Sequence, residues 1–223
     1  MKSTMGWFAL LITLIGVSPS RAQELSTKQV VDNMDQRAKM FSSLDASVSR
    51  TFTEYGVKAE DETGRIYMKK ASPSHRIFYD VTAPAANRKT VLIDKGIGTI
   101  YFRNTNSYRT QPVGSANEVT ELLMIGFGAG SETFGKSYSP AYKGRETLNG
   151  VQTVVLELSA KDQSAQFRTI TLWLDPSTWT PLQTRVSQSS KTYSDFKYSN
   201  VRLNRGVADS VFKLDIPSGA TKQ

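Results

Sequence analysis

The sequence predicts an α+β, mostly β fold: a single strongly curved antiparallel sheet, an open half-barrel, with helices covering its concave apolar face. Three observations predict it. Short segments rich in β-branched and aromatic residues recur along most of the chain, separated by turn formers. Several alternate apolar with polar residues, as a sheet does when one face is covered and the other wet. Only two segments of the mature chain carry helical spacing, which leaves few elements to cover a wide apolar face.

The first 22 residues stand apart from that fold. Lys2 gives a positive start, Trp7 to Val17 is an apolar run too short to span a bilayer, and Ser20-Arg21-Ala22 places small residues before Gln23. Residues 1–22 therefore read as a cleaved signal peptide and 23–223 as a single domain. The mature protein is expected to be exported, soluble and monomeric. No cysteine follows the apolar run or occurs anywhere, so lipid anchoring, disulfides, thiolate metal sites and thiol chemistry are excluded. About 200 residues suffice for one sizeable core without such staples.

The chain carries 28 Lys and Arg; removing Lys2 and Arg21 leaves 26 against 20 Asp and Glu, and the net charge falls from +8 to +6. Residues 58–109 concentrate the excess, with ten basic residues against five acidic ones. The simpler account is a wet sheet face and guarded edges, favoured over a specific acidic partner. Nucleic acid is not expected as a partner of an exported protein.

The elements follow in order. Ser26 and Gln29 form a capping box, with Leu25 and Val30 placed as a hydrophobic staple, and an apolar stripe at Val31, Met34, Ala38 and Phe41 predicts a helix ending near residues 41–43. Five strands come next: SVSRTFTEY, GRIYMKK, HRIFYDV, KTVLID and GTIYFRN. In SANEVTELLMIGFG, Ser115 and Glu118 have capping-box spacing and Val119, Leu122, Leu123 and Phe127 form an apolar side that Met124 and Ile125 widen. Glycines 126, 128 and 130 end this second helix. It is either a mobile lid or a fully buried helix. Five or six further strands complete the chain, with hairpin signals at Asn149-Gly150 and at Asp175-Pro176.

One motif needs exclusion. Gly130 to Ser137, GSETFGKS, spells G-x-x-x-x-G-K-[ST], the phosphate-binding P-loop. A P-loop leaves a buried strand and opens a helix. Here a helix precedes, and Pro140 lies shortly after Ser137, so these glycines are expected to serve a flexible return to the next strands. Catalysis is equally unsupported. The only histidine, His75, sits in a polar turn and is expected to be solvated, and Glu60-Asp61-Glu62 reads as a solvated acidic turn rather than a calcium loop. No enzyme activity, cofactor or metal is expected.

What remains is surplus apolar surface, which a curved sheet too wide for two short helices would leave as a cavity. The order of several landmarks resembles the periplasmic outer-membrane lipoprotein carriers, the LolA-like proteins. They are the STKQVVDNMDQRAKMF helix, GRIYMKKASPSHRIFYD, VLIDKGIGTIYFRN, the lid-like ELLMIGFGAG, ITLWLDPSTWTPLQTRV and the ending YSNVRLNRGVADSVFKLDIPSG. The resemblance implies a chaperone that shelters lipoprotein acyl chains, or another lipid, across the periplasm. It also implies partners: an ATP-driven inner-membrane transporter that loads cargo and an outer-membrane receptor that accepts it. A different lipid or lipidated protein is the alternative cargo, and an interaction module with no cavity is the reading from another class.

On this resemblance the cavity and lid would be lined by Met34, Phe41, Ile66, Met68, Tyr79, Ile93, Phe102, Leu122, Leu123, Met124, Phe127, Leu156, Leu172 and Leu174. The three methionines would give an adaptable lining. The family's lid-latching arginine matches Lys70 here, which lacks arginine's planar fork of donors, so the resemblance leaves the latch to Lys70 or to Arg76.

Overall fold

Ser26 stops the extended chain and starts the first helix. Its hydroxyl accepts from the Gln29 amide at 3.2 Å, and its own amide donates to the Gln29 side-chain oxygen at 2.8 Å, so the capping box forms as read. Helix α1 spans Thr27–Lys39 and ends slightly before the expected 41–43, with Met40 and Phe41 donating back into its last turn. Val30 and Met34 are the side chains it buries. The structure is a computed structural model and describes residues 24–72, 74–112, 122 and 124–223. The signal peptide, the Ser115–Glu118 capping box with Val119, and the residues Pro73 and Leu123 lie outside the described residues.

Among the described residues, thirteen strands form one sheet that does not close into a barrel. In chain order they are β1 (Ser43–Glu54), β2 (Val57–Lys58), β3 (Glu62–Lys69), β4 (Arg76–Ala83), β5 (Lys89–Asp94), β6 (Ile97–Phe102) and β7 (Ser107–Pro112). Beyond residue 137 come β8 (Tyr138–Leu148), β9 (Val151–Ala160), β10 (Thr169–Leu174), β11 (Pro181–Ser187), β12 (Tyr193–Leu203) and β13 (Thr221–Lys222). Their spatial order is β13-β7-β6-β5-β4-β3-β1-β12-β11-β10-β9-β8, with β2 paired to β1. The predicted curved antiparallel sheet is therefore present. It departs from prediction where β13 runs parallel to β7 and where β2, β7 and β13 add strands beyond those read from the sequence. Strand β7 escapes sequence reading because Tyr108 to Pro112 carry no apolar alternation and are largely exposed.

Period-two alternation sorts the side chains onto two faces. On the concave face two apolar clusters form. One gathers Leu44, Val48, Ile66, Met68, Ile77, Tyr79 and Ile93 beneath Phe41, Met124 and Phe127. The other gathers Val154, Leu156, Leu158, Ile170, Leu172 and Leu174 beneath Val30 and Met34 of α1, with Leu122 and Phe134. On the convex face arginines meet carboxylates. Arg65 makes a two-pronged pair with Asp45 at 2.7 and 2.8 Å, Arg185 does the same with Asp195 at 2.8 Å, and Arg103 reaches Asp80 at 2.7 Å. Much of the basic excess in residues 58–109 is thus spent within the molecule rather than held out for a partner.

Two expectations about loops are corrected. GSETFGKS is no loose return: Ser131–Phe134 is a short helix with Phe134 buried. The Asp35 carboxylate of α1 accepts from the Ser131 amide at 2.6 Å and from its hydroxyl. A Cβ on Gly130 would stand 2.7 Å from that carboxylate, so this glycine serves a close approach. His75 is half-buried rather than solvated, with its ring edge-on to Phe41 at 6.2 Å and Nδ1 unpartnered among the described residues.

Two measurements check this architecture. A Cβ on Gly64 would lie 2.0 Å from the Asp80 carbonyl oxygen, at the irregularity between Thr63 and Gly64 where β3 meets β4. Gly64→Ala is therefore expected to cost about 2–3 kcal/mol in urea unfolding, the scale of an overpacked site. The second concerns pH. Burial first, and the Lys70 charge next, hold the His75 imidazole below its usual 6.5. As pH falls, the unfolded chain takes up this proton before the folded one. The stability is present in full above pH 6.5 and is lost as pH falls toward the lower folded value. Since His75 is the only histidine, His75→Gln should flatten the loss of stability between about pH 7 and about pH 5.5.

Candidate functional site

Where the two apolar clusters meet, the concave face leaves a cavity of about 370 Å³. Its size falls in the usual range for small-molecule sites, roughly 300–1,000 Å³. Strand β5 supplies Val91 and Ile93, β6 supplies Ile100, and β12 supplies Phe196 and Tyr198. Leu122, Val186 and Phe167 close the other side. Alternation explains the selection: each of these strand residues stands in phase with the apolar ones of its own strand. Phe127 packs edge-on to Tyr198 at 5.0 Å, so the lining rests on the first cluster. Burial pushes the Tyr198 phenol up to about 12, which keeps it neutral.

One end of the cavity is charged. Arg50, Glu62 and Lys89 line it together. Arg50 lies in phase with Val48, and Lys89 in phase with Val91 and Ile93, so period-two geometry turns both cations inward. Glu62 bridges them, accepting from Lys89 Nζ at 2.8 Å and from Arg50 Nη1 at 3.2 Å. The Arg50 fork also donates to Ser194 Oγ at 3.1 and 3.3 Å, and its plane lies over the Phe52 and Phe196 rings at 5.5 and 5.8 Å. Tyr79, 7% exposed, brings a buried hydroxyl without a hydrogen-bond partner among the described residues. Burial, then the Glu62 charge, raises its pKa, so it stays protonated.

The residues singled out from sequence divide between lining and support. Tyr79, Ile93 and Leu122 line the cavity. Phe41, Ile66, Met68, Met124 and Phe127 belong to the first cluster, and Met34, Leu156, Leu172 and Leu174 to the second. They hold the walls without facing the space. The expected methionine lining is thus corrected: Met34, Met68 and Met124 are 0–2% exposed and locked in packed clusters. Phe102 shares the face of Ile100 but stands at the end of β6, half-buried, in neither cluster and outside the lining. Leu123 lies outside the described residues.

The latch assignment fails for Arg76. It sits on the convex face, opposite Ile77 and Tyr79, pairing with Asp94 at 2.9 Å and Asp209 at 2.8 Å and lying over Phe212 at 4.6 Å. There it fastens the C-terminal segment to the outside of the sheet. Lys70 is exposed, its amide donates to the Ser42 carbonyl, and its ammonium has no hydrogen bond or ion pair among the described residues.

Glu62 was readable only as part of an acidic turn, yet it opens β3 and is 7% exposed. The available signal was phase: Glu62 shares its strand face with Ile66 and Met68. Met124 tests the division between lining and support. It is 2% exposed within the first cluster, so Met124→Asp buries an unpaired charge and should cost roughly 4 kcal/mol or more in chemical denaturation.

No protein-family model and no curated protein matches the sequence. Solved structures do match. An uncharacterized conserved protein from Thermus thermophilus is similar at a TM-score of 0.55 and 11% identity, over 88% of this chain and 97% of its own. MucB is similar at 0.54 and 15% identity, over 85% of this chain and 62% of its own, so the chain spans less than two thirds of MucB. The neighbours include a LolA superfamily protein, NE2245 from Nitrosomonas europaea, at 0.41 and 14% identity, over 85% of this chain and 98% of its own. At such identities the likeness is one of fold alone. Among the described residues, no helix is long and apolar enough to cross a membrane.

Proposed function

We propose that this protein is a periplasmic carrier that takes acyl chains of lipoproteins into the concave cavity and ferries them from the inner to the outer membrane. The observation that carries this reading is the cavity itself: about 370 Å³ walled mainly by Val91, Ile93, Ile100, Leu122, Phe167, Val186 and Phe196. Ordinary interiors pack to the density of organic crystals and leave few voids larger than a water molecule. An apolar space of this size gains by accepting hydrocarbon, at about 0.8 kcal/mol per methylene removed from water. Shelter of this kind needs no bond made or broken, so the protein acts as a chaperone rather than an enzyme. The leader-like residues 1–22 favour an exported working place, and the ordered landmarks along the chain favour lipoproteins as cargo. Loading would come from an ATP-driven inner-membrane transporter and unloading from an outer-membrane receptor. The cavity speaks against an interaction module with a filled core.

Ile100 is half-buried and lines the space without belonging to either cluster. The purified protein should bind a pyrene-labelled acyl chain, read by fluorescence. Ile100→Trp should weaken that binding by roughly tenfold or more and leave the thermal midpoint nearly unchanged. Absence of probe binding by the unaltered protein would overturn the proposal. Depletion in the source cell then separates cargo types: retention of lipoproteins at the inner membrane supports lipoprotein transport, and their normal sorting refutes it.

A further inference from the structure

We propose that the charged end of the cavity, formed by Arg50, Lys89 and the Tyr79 hydroxyl, takes the anionic head group, a carboxylate or a phosphate, of an amphiphile whose alkyl chain lies along the apolar walls. The inference rests on the reading of the cavity as an acyl-chain site and extends its cargo to lipids with an acidic head.

The donor count carries it. A guanidinium has five N–H donors and an ammonium three, and neither accepts. Arg50 directs three donors to Glu62 and Ser194, and Lys89 directs one to Glu62. Among the described residues the remaining donors have no acceptor, and the Tyr79 hydroxyl, 7% exposed, has no partner either. Two cations share a single carboxylate, leaving a formal charge of +1 in a space whose other walls are largely hydrocarbon. A packed core would not need this arrangement, because a buried hydroxyl left unmatched is costly, and Arg50 and Lys89 stay 26% and 23% exposed beside it. What matches it is a group that only accepts and carries negative charge. Carboxylates and phosphates do both, and arginine's planar fork suits either. The position follows from the sheet as well. Arg50, Glu62, Lys89 and Tyr79 come from β1, β3, β5 and β4, neighbouring strands of one concave face, with Val91, Ile93 and Ile100 leading away from them. Head and tail thus have separate, adjoining surfaces.

The test titrates the full chain with three probes of equal length: hexadecanoate, hexadecyl phosphate and hexadecan-1-ol. Both anions are expected to bind roughly tenfold or more tightly than the alcohol, the size of one charge-assisted hydrogen bond. The tighter of the two anions then distinguishes a fatty-acid head from a phosphate head. In Lys89→Met the ratio of anion to alcohol affinity should collapse toward one. Tyr79→Phe, a change of one oxygen, should lower the same ratio several-fold and keeps the test open if the lysine variant does not fold. Equal affinity of all three probes for the unaltered protein would overturn the head-group assignment and leave the acyl-chain reading standing. Failure of all three to bind would overturn both.

Discussion

The width of the concave face governs this molecule. Twelve strands in line, about 4.8 Å apart, make an arc of roughly 50 Å. A helix with its side chains is only about 10–12 Å across. Helix α1 accordingly covers the β8 to β10 end, burying Val30 and Met34 against Leu156, Leu158 and Leu172. Phe41, Met124 and Phe127 cover the β1 to β5 region. Between these two covers the sheet curves and the apolar face stays open inside. Among the described residues these two covers are all that meets so broad a sheet, and the cavity lies between them.

The two faces then divide the electrostatic work. Outside, arginines and carboxylates meet in planar two-pronged pairs at Asp45 and Asp195, and Arg76 ties the Asp209–Phe212 turn down over the sheet. These exposed and half-exposed pairs contribute modestly to stability, but they consume charge that would otherwise have defined a basic surface. Inside, Arg50, Glu62 and Lys89 occupy positions that alternation reserves for apolar side chains. Three charges held together through hydrogen bonds to Glu62 reduce the cost of that placement, and a surplus positive charge remains. The surrounding aromatic rings of Phe52 and Phe196 hold the guanidinium plane in place.

Sequence reading succeeded where local chemistry decides. The Ser26 and Gln29 capping box, the alternation in GRIYMKK and GTIYFRN, and the Asn149-Gly150 turn all depend on residues a few positions apart. GSETFGKS, expected as a loose return, instead holds the short helix Ser131–Phe134. Reading failed where the outcome depended on partners far along the chain. His75 meets Phe41, Asp35 meets Ser131, and Arg76 meets Asp209, contacts no spacing rule anticipates. Glu62 looked like turn chemistry because its acidic neighbours are sequential, whereas its partners Arg50 and Lys89 lie on other strands.

By itself the sequence determined the type of the longer elements, the phase of their apolar residues and hence the curved-sheet class, because period and capping act over a few residues. Only the tertiary structure decided which apolar side chains fill the core and which line the space. Tyr79, Ile93 and Leu122 face the cavity while Met34, Met68 and Met124 support its walls. Both sets share the same alternation, and what separates them is the curvature of the sheet and the reach of its covers. The same holds for the inward charges. Phase alone points Arg50 and Lys89 inward, but the curvature that brings β1, β3 and β5 around one space makes them a site.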